Sequence, residues 1–250
     1  MEHRDVTRRE FARQVAEFER PDSFFGDRQV LGWIAAHVPV SPDDVVLDVA
    51  GGAGHVGRHL AARAAFAVVV DLTREMLQAG VAAGRRNMVF VEGDATALPF
   101  ADEQFDVVVC RFAAHHIDDP SRAAAEMARV ARPGGTVAVI DMVSEPGAAG
   151  ERHNELERLR DPSHTRALEE GELLAALDSA GVDAAIVAAR RQRMLAVPWL
   201  ERAASPDAPR EQILAALEAE AAGGEATGLH AAGNPLCIHQ DWVIASGSRR

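Results

Sequence analysis

Three acids, a glycine run and a histidine pair are the residues of this chain whose types and spacing suit chemistry. Gly52, Gly54 and Gly57 in "VLDVAGGAGHVG" (Val46 to Gly57) keep the G-x-G-x-x-G order that lets a backbone approach a ligand closely. Asp48 stands just before them, Asp71 closes "FAVVVD" and Asp94 lies in "EGDATALPF", so each acid falls at or just after an apolar run. A carboxylate accepts hydrogen bonds from hydroxyl or amino groups, and it attracts a cation while repelling a pyrophosphate. Further along, "AAHHIDDP" sets His115 beside His116. Histidine has the unperturbed pKa nearest neutrality and is the obvious general base.

The elements that must position these residues read as an alternation. "VVLDVA" (Val45 to Ala50) predicts a strand, the glycines a turn, and "GRHLAARAA" a helix. "FAVVVD" (Phe66 to Asp71) and "NMVFVEGD" (Asn87 to Asp94) are the next strands, with the helix "TREMLQAGVAA" and its N-cap candidate Thr73 between them. "FDVVVCRF" is a strand, "PSRAAAEMARVA" a helix opened by Pro120 and Ser121 and stopped by "RPGG", and "TVAVIDMV" another strand. Strands apolar on both faces, alternating with helices, imply a parallel sheet covered on both sides. Ligands of such a sheet bind outside the carboxyl ends of its strands, where the three acids converge.

Beyond Ser144 the chain turns polar and turn-rich before the helix "LLAALDSAG" (Leu173 to Gly181). "AAIVAARRQRMLAV" (Ala184 to Val197) predicts a long strand, "REQILAALEAEAAGG" a surface helix ending at Gly223, and "LCIHQDWVIASG" a closing strand. The N-terminal segment predicts one or two helices, with Phe11, Val15 and Phe18 on one apolar face.

Composition sets outer limits. With 250 residues, 48% hydrophobic, the chain is long enough for one sizeable α/β domain. A formal net charge of −12 disfavours nucleic acid and anionic membrane as partners. Cys110 and Cys237 form neither a disulfide framework nor a zinc spacing, and no other residue set has metal-ligand spacing, so no metal is expected. A charged N-terminus and the lack of any long apolar run lead to the expectation of a cytoplasmic protein without a membrane segment.

Three readings of the glycine stretch compete. It can be a tight corner without a ligand, a nicotinamide or flavin dinucleotide site, or a site for S-adenosylmethionine, which has no pyrophosphate. Asp48 favours the third, because a sulfonium and an α-amino group suit it and a pyrophosphate does not. Asp71 is placed to accept from ribose hydroxyls and Asp94 from an adenine amino group.

The segments "VLDVAGGAGHVGRHLA", "VVVDLTREMLQAG", "VEGDATALPFADEQFDVVVCRFAAHHIDDP" and "RVARPGGTVAVIDMV" occur in this order over Val45 to Val143. In this the chain resembles the class I S-adenosylmethionine-dependent methyltransferases, and within them the ubiquinone/menaquinone-biosynthesis group. The resemblance implies a doubly wound, seven-stranded, mostly parallel Rossmann-like sheet with its last strand antiparallel. It also implies a division into an N-terminal helical lid (1–40), a cofactor-binding core (41–143), an inserted acceptor-side cap (144–172) and the rest of the sheet (173–250).

By the same resemblance the cofactor contacts fall on Asp48, Ala50, Gly51, Gly52, Gly54, Asp71, Leu72, Met76, Gly93, Asp94, Ala95, Arg111, Phe112 and His116. Ala50 replaces the first glycine of the family pattern. His115, His116 and His164 are the candidates for a catalytic base, with Asp141 at the end of the fifth strand a further candidate. Phe24, Phe25, His153, His164, Arg166 and Trp199 are candidates for acceptor binding, and "DPSH" reads equally as a turn and N-cap. No tyrosine exists to act as a base. The implied reaction is O- or C-methylation of a small aromatic or polyketide-like acceptor by a monomer or homodimer. Two other readings remain open: cofactor binding that promotes a non-methylating step such as a cyclisation, and a nicotinamide-dependent oxidation.

Overall fold

The computed structural model describes residues 2–18, 20, 23–203 and 205–250, so Met1, Glu19, Pro21 and Asp22 of the predicted N-terminal lid lie outside the described residues. Seven strands, β1 (Val45–Val49), β2 (Phe66–Asp71), β3 (Met88–Glu92), β4 (Phe105–Arg111), β5 (Ala131–Val143), β6 (Val182–Leu195) and β7 (Cys237–Arg249), form one sheet. Their order is β3-β2-β1-β4-β5-β7-β6, and β7 runs antiparallel to both its neighbours. The order reverses between β1 and β4, which opens the crevice at their carboxyl ends.

Alternation along the strands divides the core between two faces. Leu47, Val49, Val68 and Val70 pack against α5 (Pro120–Val130) and α7 (Glu170–Ser179), through Met127, Leu173 and Leu177. Val46, Ala67 and Val69 pack against α2 (Arg28–His37) and α3 (His55–Leu60), through Ile34, Val56 and Leu60, with α4 (Arg74–Ala83) on the same side. β-branched residues fill both faces because a parallel strand is buried on both.

Local signals account for most helix boundaries. Asp119 caps α5 by accepting from the Arg122 amide at 2.8 Å, and Pro120 fits the first turn, where a missing N–H costs nothing. α7 starts at Glu170, ahead of the predicted Leu173, because Glu169 and Glu172 form a reciprocal capping box. Thr73 occupies the N-cap of α4 without a side-chain capping bond.

Two segments depart from the prediction. The strand expected to reach Val197 ends at Leu195, and α8 (Ala196–Ala203) begins, burying Ala196, Trp199 and Leu200 at helical spacing. Pro198 sits in the first turn of α8, where it is tolerated. "DPSH" forms a turn in which Asp161 accepts from the Ser163 amide at 2.9 Å, and no helix follows until Glu170. α6 (Ala148–Arg160), α8 and α9 (Arg210–Ala221) share a small core of Leu156, Trp199, Leu200, Ile213 and Leu217.

The turn after β1 carries strain. Ala50 has φ 50, in the left-handed region that costs a residue with a Cβ about 1–2 kcal/mol. Ala50→Gly is expected to stabilise the protein by about 1 kcal/mol, read as a higher urea midpoint at unchanged slope. A lower midpoint would show that the Ala50 methyl contributes more through packing than it costs in backbone conformation.

Candidate functional site

The crevice holds a cleft of about 400 Å³ whose floor is the β1 turn. Asp48 is 1% exposed, and its Oδ2 accepts from the Gly57 amide at 2.7 Å. Its Oδ1 is buried with no partner. Burial pushes the carboxyl up to about 7, against the opposing pull of the Gly57 amide and the Arg111 charge. Gly51 must stay glycine here, since a Cβ would stand 2.7 Å from the Asp48 carboxylate. Arg111, at the end of β4, is buried and donates from Nη1 to the Phe25 carbonyl at 2.8 Å. Desolvation lowers it to about 10, so it remains cationic and faces the field of Asp48.

Asp48 has a consequence for stability. An acid raised in the folded state stabilises fully below its unfolded value, about 4, and that contribution is lost as pH rises through about 7. Asp48→Asn, which keeps an acceptor for Gly57, is expected to stabilise the ligand-free protein at pH 8 by on the order of 1–3 kcal/mol and to flatten the pH dependence below that. Thermal melts of both proteins at several pH values test this.

Asp71 organises the same turn. Its Oδ2 accepts from the Gly52 amide and its Oδ1 from the Thr73 amide, each at 2.8 Å. Asp94 Oδ1 accepts from the amide and hydroxyl of Thr96, each at 2.8 Å. Ala50, Gly51, Gly52, Leu72, Gly93 and Ala95 line the cleft, as do Phe112 and His116. Gly54 and Met76 stand behind that wall: Gly54 caps α3 with φ 77, and Met76 is fully buried beneath Gly52.

One long helix, α1 (His3–Phe18), roofs the cleft. Arg4 reaches Asp94 Oδ2 at 2.9 Å, and Arg8 donates to the Leu72 carbonyl at 3.3 Å. His3 donates from Nε2 to the His116 carbonyl at 3.0 Å. Phe18 stacks on Phe25 with centroids 3.6 Å apart. The roof is thus held by polar straps at one end and stacked rings at the other.

Next to the cleft lies a smaller chamber of about 70 Å³, and Phe11, Phe25, Phe112 and His116 line both. Phe112 adopts φ 49, a strained backbone for an aromatic residue, and lies 5.9 Å from Phe24 and 4.7 Å from Trp242. Such strain is concentrated at sites where position matters more than stability.

The histidine pair divides its roles at this wall. His115 Nδ1 meets Asp141 Oδ1 at 2.5 Å, and the same oxygen accepts from the Met142 amide at 2.8 Å. Nδ1 therefore carries the proton, which leaves Nε2 as the basic nitrogen of a residue that lines the chamber. Burial alone would depress this histidine, but the Asp141 charge and hydrogen bond carry it above its usual value. His116 Nδ1 lies 3.0 Å from Ser163 Oγ, whose own proton goes to Asp161 at 2.6 Å. Burial and the His115 charge hold His116 down at about 4, so it stays neutral. His115 is the one member of the pair able to take a proton near neutral pH.

Of the residues expected at the acceptor, Phe24, Phe25 and Trp199 line the chamber. His164 does not; it is buried behind it, donating from Nε2 to Asn154 Oδ1 at 2.9 Å, and burial holds it neutral. His153 is buried in α6 with its Nε2 3.7 Å from Glu157. Arg166 forms an exposed pair with Glu172. These contacts explain why all three are turned away. Gln14, Arg160, Arg202 and Trp242 also line the chamber, and the sequence alone assigns none of them a site role. Helical spacing in "AVPWLERA" was the available signal for Arg202, which lies on the same helix as Trp199. Among the described residues no cluster suits a metal ion, and no helix is long and apolar enough to cross a membrane.

Comparison with known proteins agrees with this geometry. A family model described as "Methyltransferase domain" matches residues 47–139. The "Uncharacterized methyltransferase YcgJ" of Bacillus subtilis (strain 168) is 35% identical over 156 residues, or 60% of this chain and 62% of that protein. A demethylmenaquinone methyltransferase of Mycobacterium sp. (strain JLS) is 42% identical over 106 residues, or 42% of this chain and 45% of that one. The chain thus spans less than two thirds of the length of either relative in these alignments. The crystal structure of YcgJ aligns with TM-score 0.81 and 27% identity, over 90% of this chain and 99% of that one.

Proposed function

Because this chain belongs to the class I S-adenosylmethionine-dependent methyltransferases, we propose that it methylates a compact small molecule held in the aromatic chamber against His115. The observation that carries this reading is the His115–Asp141 pair at 2.5 Å, which leaves Nε2 as the basic ring nitrogen of a residue lining a chamber that shares a wall with the glycine-turn cleft.

The residues of the cleft fit the cofactor. Asp48 Oδ1, buried without a partner, suits an α-ammonium group, and the Arg111 guanidinium beside it suits a carboxylate. Asp71 retains acceptor capacity for ribose hydroxyls after holding its two amides. A pyrophosphate at the same turn would confront the Asp48 carboxylate, which argues against a dinucleotide. When bound, S-adenosylmethionine supplies an electrophilic methyl group.

The remaining work falls to positioning and to one proton. Preset geometry lowers a displacement barrier by up to about 7–11 kcal/mol. Phe25 and Phe112 form the partition along which an acceptor atom reaches the cleft. His115 Nε2 takes the acceptor's proton as it is methylated, and Asp141 stabilises the resulting imidazolium. This favours oxygen acceptors, or carbon acceptors that lose a proton. A relative named for demethylmenaquinone supports an acceptor of the small-molecule class, without supporting its compactness.

Calorimetric titration with S-adenosylmethionine, S-adenosylhomocysteine and NAD tests the cofactor assignment, with binding of the first two alone expected. Acceptor screening by product mass then tests transfer. A product without an added methyl group would replace methylation by another reaction at the same site.

A further inference from the structure

The chamber contains hydrogen-bond donors without acceptors. Gln14 Nε2 and Trp199 Nε1 are buried and have no partner, and their residues are 6% and 1% exposed. Arg202 lies on the same wall with its guanidinium carbon 4.3 Å from the Phe24 ring centroid. Among the described residues its only polar contact is Met194 Sδ at 3.9 and 4.0 Å, and none of them forms an ion pair with it. The neighbouring Arg160 differs, since it is neutralised by Glu157 at 2.7 Å and bonded to the Trp199 carbonyl at 3.0 Å.

Leaving such groups unsatisfied costs free energy, and a half-buried guanidinium with no carboxylate in ion-pair contact adds to that cost. Desolvation lowers Arg202 to about 10, with the Arg160 charge adding to the effect and the charges of Glu17 and Glu157, neither in ion-pair contact with it, opposing it. The one carboxylate on the wall, Asp161, directs Oδ1 to the Ser163 amide and hydroxyl. Among the described residues no carboxylate of the chamber pairs with Arg202.

We propose that the methyl acceptor carries a carboxylate or phosphate group, bound by Arg202 together with the free N–H groups of Gln14 and Trp199. The apolar part of the acceptor then lies among Phe24, Phe25 and Trp242, directed at His115. A planar guanidinium already stacked on a ring is preorganised for two-point binding of such a group. This inference rests on the methyl-transfer reading, because it identifies the chamber as the acceptor's.

The test uses single-ring probes on the full chain saturated with S-adenosylhomocysteine. 4-Hydroxybenzoate and phenyl phosphate are compared with the neutral 4-hydroxybenzyl alcohol and phenol, by thermal shift at millimolar concentrations and by calorimetry. At least one anionic probe is expected to stabilise the protein and the neutral ones are not, and the better anion identifies the group. Arg202→Gln is expected to weaken the anionic probe at least tenfold, with Arg202→Lys in between. Equal response to acid and alcohol, no response to either anion, or an acid response that survives Arg202→Gln would overturn the proposal. Failure of S-adenosylhomocysteine to bind is a separate result, and it would remove the cofactor reading instead.

Discussion

Replacing His115 with glutamine is expected to lower kcat about 10²–10⁴-fold while S-adenosylhomocysteine affinity stays within about twofold. His115 lines the chamber and is not among the residues lining the cleft, so its removal deletes proton transfer without touching the cofactor's walls. The pH profile has a definite sign. Since Asp141 raises His115, the unprotonated base appears only as pH rises through a value above the ordinary histidine range, and the acidic limb of the kcat/KM profile should lie there. Asp141→Asn removes that charge and should move the limb to lower pH while reducing the rate. An unaltered rate in His115→Gln would mean that the acceptor arrives already deprotonated, or that positioning alone carries the reaction.

The second large effect is expected at Asp71, where alanine should weaken S-adenosylmethionine binding by about 10–100-fold. Two losses combine. The charge-assisted bonds to ribose disappear, each worth about 1.5–3 kcal/mol before compensation by water. The Gly52 and Thr73 amides, now held at 2.8 Å, also lose their acceptor, so the turn relaxes. Asp71→Asn separates the two contributions, because an amide oxygen satisfies one N–H but its NH₂ opposes the other. Calorimetry alongside a melting curve distinguishes a weakened site from an unfolded one. Unchanged affinity in a folded Asp71→Ala protein would exclude the ribose contact.

The cofactor half of the molecule is legible in the chain because its signals are local. A carboxylate at a strand end, a glycine turn and a short apolar run occupy neighbouring positions, and parallel pairing of the strands brings their carboxyl ends to one edge of the sheet. The acceptor half is not local. Gln14, Phe24, Arg160, Arg202 and Trp242 meet in one chamber although they are scattered over the length of the chain. His115 and Asp141 are each visible as candidates, yet their pairing depends on β4 and β5 lying side by side. Two other histidines illustrate the same limit. His164 and His153 have the right chemistry, but the fold buries the first against Asn154 and the second within α6, and neither lines the chamber.

α1 extends from Arg4 over Asp94, at one end of the cleft, to Phe11 and Gln14, which help to close the chamber. One helix therefore lines both cavities. It buries little of its own, only Glu10, Gln14 and Phe18, so its release costs far less than opening the sheet. Cofactor and acceptor would then share a single door, and kinetics should be sequential, with both ligands aboard before the helix closes. The slow event of turnover would be the helix letting go of its products, and a viscous solvent or a weakened Arg4 strap should register in kcat even though neither touches the reacting atoms.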